Sequence, residues 1–289
     1  MQSSVTNWCW QGRRIAYVAD GIRASSLPPV VLIHGFGASL GHWRHNLPVI
    51  ADQQPVYALD LLGFGASDKP IDVSYTFETW SAQVLAFVRE VVGKPAVLVG
   101  NSIGCIVALQ AAVDAPEWVK RCVLINCSLR LLHERKRHTL PWIRRAGAPL
   151  LQRLLAIPAV GRAFFDRVRQ PATVRRILAQ AYVRHEAITD ELVDMLCRPA
   201  SDPGAAAVFL AFTGYASGPL PEDLLPRVRC PVHMLWGEDD PWEPIALGRK
   251  LADYACVRDF VPLARAGHCP QDEAPAEVNA LLLAWGQGS

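Results

Sequence analysis

Apolar residues along this chain follow two rhythms. Unbroken runs such as Val30-Val31-Leu32-Ile33, Val56-Tyr57-Ala58-Leu59, Ala96-Val97-Leu98-Val99, Cys122-Val123-Leu124-Ile125 and Val232-His233-Met234-Leu235-Trp236 have the length and β-branched content of strands buried on both faces. A last strand is predicted from Val257 to Val261. Loose alternation through Trp8, Trp10, Ile15, Tyr17 and Val18 predicts one or two early strands with a turn at Gly12. Between the runs the period changes. Phe77, Trp80, Val84, Phe87 and Val91 recur at steps of three and four, as do Val278, Leu281, Leu282 and Trp285, and a short helix is predicted around Trp43 and Leu47. Alternating strands and helices imply a mainly parallel central sheet covered by helices on both faces.

The alternation stops between residues 129 and 225. There the apolar sets are helical (Leu150, Leu151, Leu154 and Leu155; Val160, Phe164, Phe165 and Val168; Val174, Ile177, Leu178 and Tyr182), and prolines at 141, 149, 158, 171 and 203 cut the stretch into short pieces. The expected organisation is a core of residues 1–128 and 226–289, with residues 129–225 inserted after the sixth core strand as a helical lid. Trp142, Leu154, Phe164 and Phe165 are its candidate substrate contacts. Charge sets the same stretch apart: residues 130–184 carry thirteen Lys/Arg against Glu134 and Asp166, within a chain whose net charge is only +2. Apolar helices beside Arg135-Lys136-Arg137, Arg144-Arg145 and Arg175-Arg176 would suit peripheral contact with an anionic membrane. No recognition motif accompanies the charge, so nucleic acid is not an expected partner.

Composition narrows the class. With 289 residues, 51% hydrophobic and 19% charged, the chain can bury a large core. The start, Met1-Gln2-Ser3-Ser4-Val5-Thr6, lacks the blocks of a signal peptide, and no apolar run approaches the roughly 18 residues of a membrane span, so a soluble or peripheral protein is expected. The eight cysteines fall mostly in apolar segments and show no metal-ligand spacing. Neither a metal nor another cofactor is expected.

The chemistry centres on Gly100-Asn101-Ser102-Ile103-Gly104, which follows a predicted strand and opens an alanine-rich helix. In that context a Gly-x-Ser-x-Gly turn forces the serine onto a strained corner with its hydroxyl exposed. Gly100 and Gly104 are needed because side chains there would meet the neighbouring strand or helix. His34-Gly35-Phe36-Gly37 follows the strand ending at Ile33, so its backbone can curl and present an amide above the sheet. The amides of Phe36 and Ile103 are the candidate oxyanion donors, with His34 and Gly35 supporting the loop. After the strand ending at Trp236 come Glu238, Asp239 and Asp240. Asp240 is preferred as the acid that orients a histidine, Asp239 is the alternative, and Glu238 is expected to face solvent. Asp60, also at a strand end, is expected to accept hydrogen bonds from its own loop. His268 lies just past the last predicted strand. Ser102, Asp240 and His268 each fall in a loop just beyond a predicted strand of one sheet, and a serine nucleophile needs a base within reach and an anion to fix that base.

These residues resemble the α/β-hydrolase superfamily over nearly the whole chain outside the lid. More narrowly, Leu32 to Ser39 with His42-Trp43-Arg44, Tyr57 to Gly65 with Ser67-Asp68-Lys69, and Ala266 to Pro270 with Asp272-Glu273 resemble the pheophytinase and chlorophyll dephytylase group. The resemblance implies hydrolysis of the phytyl ester of chlorophyll-type pigments through an acyl-enzyme, without a cofactor, in the cytoplasm or at the thylakoid surface of a cyanobacterium, or in a chloroplast. Smaller ester or carbon–carbon bond substrates are the alternative, and a hydrolase-shaped receptor is the alternative of another class. Serine at the elbow, where similar dehalogenases and epoxide hydrolases use aspartate, argues against those chemistries. Cys105, where a third glycine is frequent in the family, is expected to alter helix packing rather than activity.

Overall fold

The computed structural model describes residues 4–22, 25–139, 147 and 152–286. Eight strands form one sheet in the order β1-β2-β4-β3-β5-β6-β7-β8. The early alternation resolves into two strands, β1 (Thr6–Trp10) and β2 (Arg13–Asp20), joined by a tight turn in which Gln11 and Gly12 both have positive φ. β1 pairs antiparallel with β2, and β2 antiparallel with β4 (Val56–Leu59). The other neighbours are parallel: β3 (Val30–Ile33), β4, β5 (Ala96–Asn101), β6 (Val119–Ile125), β7 (Val232–Gly237) and β8 (Val257–Leu263). Parallel pairing sends every one of these strands out at the same edge, so the loops after β3, β5, β7 and β8 gather there.

The run around Trp43 and Leu47 divides into a 3₁₀ turn, Leu40–Trp43, and α1 (Leu47–Ala51), with Pro48 at the start of the second piece. The amphipathic helix α2 (Phe77–Phe87) is capped by the Thr76 hydroxyl on the Thr79 amide and ends in a wider turn closed by Gly93. α3 (Ile103–Asp114) is buried along almost its whole length. Its alanines explain how a helix can lie so close to the sheet that the Cys122 thiol reaches the Ala108 carbonyl at 3.7 Å. One core lies between the sheet and α2 and α3; the other lies between the opposite sheet face and α8 (Pro275–Gly286), through Val278, Leu282 and Trp285.

Between β6 and β7 no strand occurs among the described residues. Four helices of useful length lie there, α4 (Pro158–Val168), α5 (Pro171–Ala181), α6 (Asp190–Cys197) and α7 (Ala205–Gly214), two of them starting at the prolines seen in the sequence. Much of the positive charge of this segment is compensated locally. Arg135 pairs with Asp223 at 2.6 Å, Lys136 with Glu222 at 2.6 Å, Arg184 with Glu277 at 3.1 Å, and Arg175 with Asp190. The acids answering it come largely from residues after 184, which accounts for the charge asymmetry along the sequence. Among the described residues no helix is long and apolar enough to cross a membrane.

Candidate active site

Ser102 stands where β5 turns into α3, with φ 56° and ψ −118°, a conformation that residues with a side chain avoid. Two close approaches hold it there. A Cβ on Gly100 would lie 2.4 Å from the backbone of Gly104, and one on Gly104 would lie 2.4 Å from the Ile33 carbonyl oxygen. Backbone bonds complete the clamp, from the Ser102 amide to Ile125 at 3.0 Å and from the Ser128 amide to the Ser102 carbonyl at 3.2 Å. A serine preceding a helix ordinarily turns its hydroxyl onto the first amides. Ser102 makes no such bond, and it lines the cavity above the sheet edge.

The loop after β7 separates its three acids. Glu238 and Asp239 are exposed, whereas Asp240 is buried. Its Oδ2 accepts from His268 Nδ1 at 2.8 Å and from Asn126 Nδ2 at 2.6 Å, and its Oδ1 accepts the amides of Trp242 and Glu243 at 2.8 and 3.0 Å. Burial works to raise the Asp240 pKa, but the bond and charge of His268, with Asn126 and the Glu243 amide, hold it below the ordinary carboxylate value. For His268 the balance is reversed. Burial disfavours the imidazolium, yet Asp240, then Glu243 and Glu273, hold its pKa above the ordinary 6.5. The Trp242 ring packs 4.9 Å from the imidazole. Ser102 and His268 line the same cavity, and the Asn101 side chain between them donates to the His268 carbonyl at 3.2 Å.

The loop after β3 is held by a buried histidine. The Leu61 amide donates to His34 Nε2 at 3.1 Å, which leaves the proton on Nδ1, 2.7 Å from the Gly35 carbonyl. Burial pushes the His34 pKa down to about 4, so the ring stays neutral and ties this loop to the one after β4. Gly35 packs against the elbow: a Cβ there would lie 3.3 Å from the Ser102 Cβ. The Phe36 and Ile103 amides have no acceptor among the described residues, and Phe36 lines the cavity. Asp60 does organise loops, with one partner from outside its own: Oδ1 accepts the Leu40 amide at 2.6 Å and Oδ2 the Ala66 amide at 2.7 Å. Cys105 faces the elbow, its thiol 3.1 Å from the Gly100 carbonyl.

The cavity measures about 560 Å³ and is walled chiefly by apolar side chains, among them Leu132, Phe165, Val168, Ile177, Leu178, Leu196 and Phe209. Of the expected lid contacts, Phe165 lies on this wall. Leu154 and Phe164 require correction: they are 45% and 38% exposed and do not line the cavity. For Phe164 the reason is helical phase. Phe165, Val168 and Arg169 share the inward face of α4 and its end, which puts Phe164 outside. Trp142 lies outside the described residues.

Several site residues were not visible in the sequence. Asn126, at the end of β6 with φ 46°, donates to Asp240 and to the Gly267 carbonyl and accepts the Gly237 amide at 3.1 Å, so one side chain joins three loops. Glu243 is buried on the cavity wall, where its carboxylate accepts the Ser128 hydroxyl at 3.1 Å and the Leu129 amide at 2.9 Å; burial pushes its pKa up to about 7. His42 is a buried wall residue bonded to the Tyr182 hydroxyl at 2.8 Å. Among the described residues no cluster of metal-binding side chains occurs, and the eight cysteines are free thiols.

A mainly parallel sheet, a strained serine between strand and helix, and a buried Asp–His pair at the same edge describe one class of protein. Residues 30–281 match the model of the alpha/beta hydrolase family, and the chain belongs to that family. Among its relatives is the chloroplastic pheophytinase of Arabidopsis thaliana, 26% identical over 308 aligned positions; the match takes in 94% of this chain and 64% of that protein's length. A 2-hydroxymuconate semialdehyde hydrolase of a Pseudomonas strain is 27% identical, with 94% of this chain and 92% of that protein covered. Among solved structures, a probable hydrolytic enzyme of Pseudomonas aeruginosa superposes with a TM-score of 0.79 at 22% identity, covering 99% of this chain and 94% of the other, a likeness of fold.

Proposed function

We propose that this hydrolase cleaves carboxylic esters through an acyl-enzyme on Ser102, and that its substrate is the phytyl ester of a chlorophyll-type pigment. The observation that carries the reading is Ser102, strained and without a capping bond, on the wall of one apolar cavity with a histidine whose far nitrogen is bonded to a buried aspartate. In the mechanism, Ser102 Oγ attacks the ester carbonyl while His268 Nε2 takes its proton. Asp240 keeps the Nδ1 proton in place and stabilises the imidazolium, and the amides of Phe36 and Ile103 receive the negative charge on the carbonyl oxygen. The proton passes to the departing alcohol. Water then repeats the sequence and frees the acid.

The pigment assignment draws support from the apolar wall and from the pheophytinase relative. A cavity of about 560 Å³ lies within the range of small-molecule sites, so it suits the phytyl chain, with the macrocycle at a mouth bordered by the exposed Leu132 and Trp242. In this reading residues 129–225 are the lid. Its outer surface carries Leu154, Ile157, Val160 and Phe164, all more than a third exposed, beside Arg153 and Arg167, which have no carboxylate partner among the described residues. That surface would rest on an anionic, thylakoid-type membrane. Equal flotation with neutral and anionic vesicles would count against it.

Incubating the protein and Ser102→Ala with pheophytin, chlorophyll and a short-chain nitrophenyl ester tests the whole reading. Phytol release that is lost in the variant is expected. Turnover of the short ester alone would leave an esterase of smaller substrates, and turnover of none would leave a receptor.

A further inference from the structure

Glu273, five residues past His268, is buried and takes no part in the mechanism above. Its Oε1 accepts the amides of Gly267 and Cys269 at 3.0 and 3.3 Å, the residues on either side of His268. Its Oε2 accepts the amides of Val183 and Arg184 at 2.7 and 3.2 Å, just past the end of α5. The His268 amide itself donates to the Ala181 carbonyl at 2.8 Å. Three consecutive amides around the imidazole are therefore held either by this carboxylate or by the strap of residues 181–184. The approach is close enough that a Cβ on Gly267 would lie 2.1 Å from the Ala181 oxygen. The strap continues α5, whose Ile177, Leu178 and Ala181 form cavity wall. Tyr182 pins it a second time by donating to Asp272 at 2.9 Å.

We infer that Glu273 is a positioning residue: it fixes the backbone of His268 to the α5 wall of the cavity, so that the imidazole is aligned when that wall is seated. The inference rests on the reading of Ser102, His268 and Asp240 as a triad. Four amide donors on one carboxylate explain why the residue is glutamate. A glutamine would turn an N–H₂ toward two of those donors, and an aspartate is one methylene too short to reach both pairs. The surrounding charges are accounted for. Arg184 directs its guanidinium to Glu277 and to the Arg265 carbonyl, Asp272 faces Arg44, Tyr182, His42 and His45, and Asp240 and Glu243 lie across His268.

The test compares Glu273→Gln, Glu273→Asp and Ser102→Ala on a nitrophenyl ester, together with an NMR titration of the His268 imidazole, which needs no substrate. Glu273→Gln is expected to lower kcat by roughly 10- to 100-fold with KM little changed. Its acid limb of kcat/KM, and the His268 titration, should move to lower pH, because a negative neighbour that favours the imidazolium is gone. Glu273→Asp keeps the charge, so kcat should fall while the limb stays in place. Unchanged kcat in either folded variant, or an unmoved His268 titration in Glu273→Gln, would overturn the inference. Should the glutamine variant fail to fold, the aspartate variant decides on kcat alone. Activity surviving in Ser102→Ala would instead overturn the triad itself.

Discussion

Two buried aspartates stand at strand ends of this sheet and do different work. Asp60, past β4, receives backbone amides from two loops and meets no imidazole. Asp240, past β7, receives two amides as well, but Asn126 and His268 also converge on it. The electrostatic outcomes diverge accordingly. Burial dominates at Asp60 and pushes its pKa up to about 6, whereas at Asp240 the histidine and its companions outweigh burial. The electrostatic state of a strand-end aspartate is thus set by what arrives from elsewhere in the chain, and its own loop does not decide.

The sharpest way to break this contrast is to make the same change twice. Asp240→Asn should lower kcat/KM by about 10⁴-fold, because the amide no longer fixes the imidazole tautomer. Asp60→Asn should leave kcat/KM within about threefold. Both are read from ester kinetics beside calorimetry. A second difference concerns stability. With its folded pKa raised from 3.8 to about 6, Asp60 contributes stability that is fully present below pH 3.8 and lost as pH rises through about 6. Denaturant titrations across that window should show wild type losing up to about 3 kcal/mol relative to Asp60→Asn. A constant gap between the two would contradict the assignment.

Smaller effects sharpen the comparison at its edges. Asn126→Ala removes one donor to Asp240 and leaves the Gly237 amide and Gly267 carbonyl without their partner, so a roughly tenfold loss of kcat/KM is expected. Glu243→Gln should cost only a few-fold in rate, since its nearest bonds are to Ser128 and Leu129. Its charge helps to hold the His268 pKa up, and with its own pKa pushed up to about 7 it is only partly ionised across the acid limb, so that limb of the rate profile should shift slightly to lower pH. An acid limb that moved upward would be inconsistent with the sign of that interaction.

What the sequence could and could not disclose follows the same division. The elbow was legible because its constraints are local: Gly100 and Gly104 are spaced to let α3 start against β5 and β3, and strand, turn and helix follow within a few residues. Asp240 could be preferred over Asp239 because loop length controls which side chain turns inward. Asn126, Glu243 and Glu273 went unseen as site residues. Their partners lie between 4 and 141 positions away, several on other loops, and an asparagine ending a strand or a glutamate in a turn carries no signal of what it will meet. Leu154 and Phe164 were misplaced for a related reason. In short helices broken by proline, the apolar spacing shows that a face exists, while the tertiary packing chooses whether it turns to the cavity or outward.

Labelling with a fluorophosphonate, followed by mass mapping of the modified peptide, bears most directly on the triad. Ser102 should carry the label in wild type and lose it in His268→Ala, since an unassisted serine hydroxyl reacts poorly near neutral pH. A protein that stays unlabelled, or a label on another residue that persists in Ser102→Ala, would contradict the assignment of Ser102 as nucleophile.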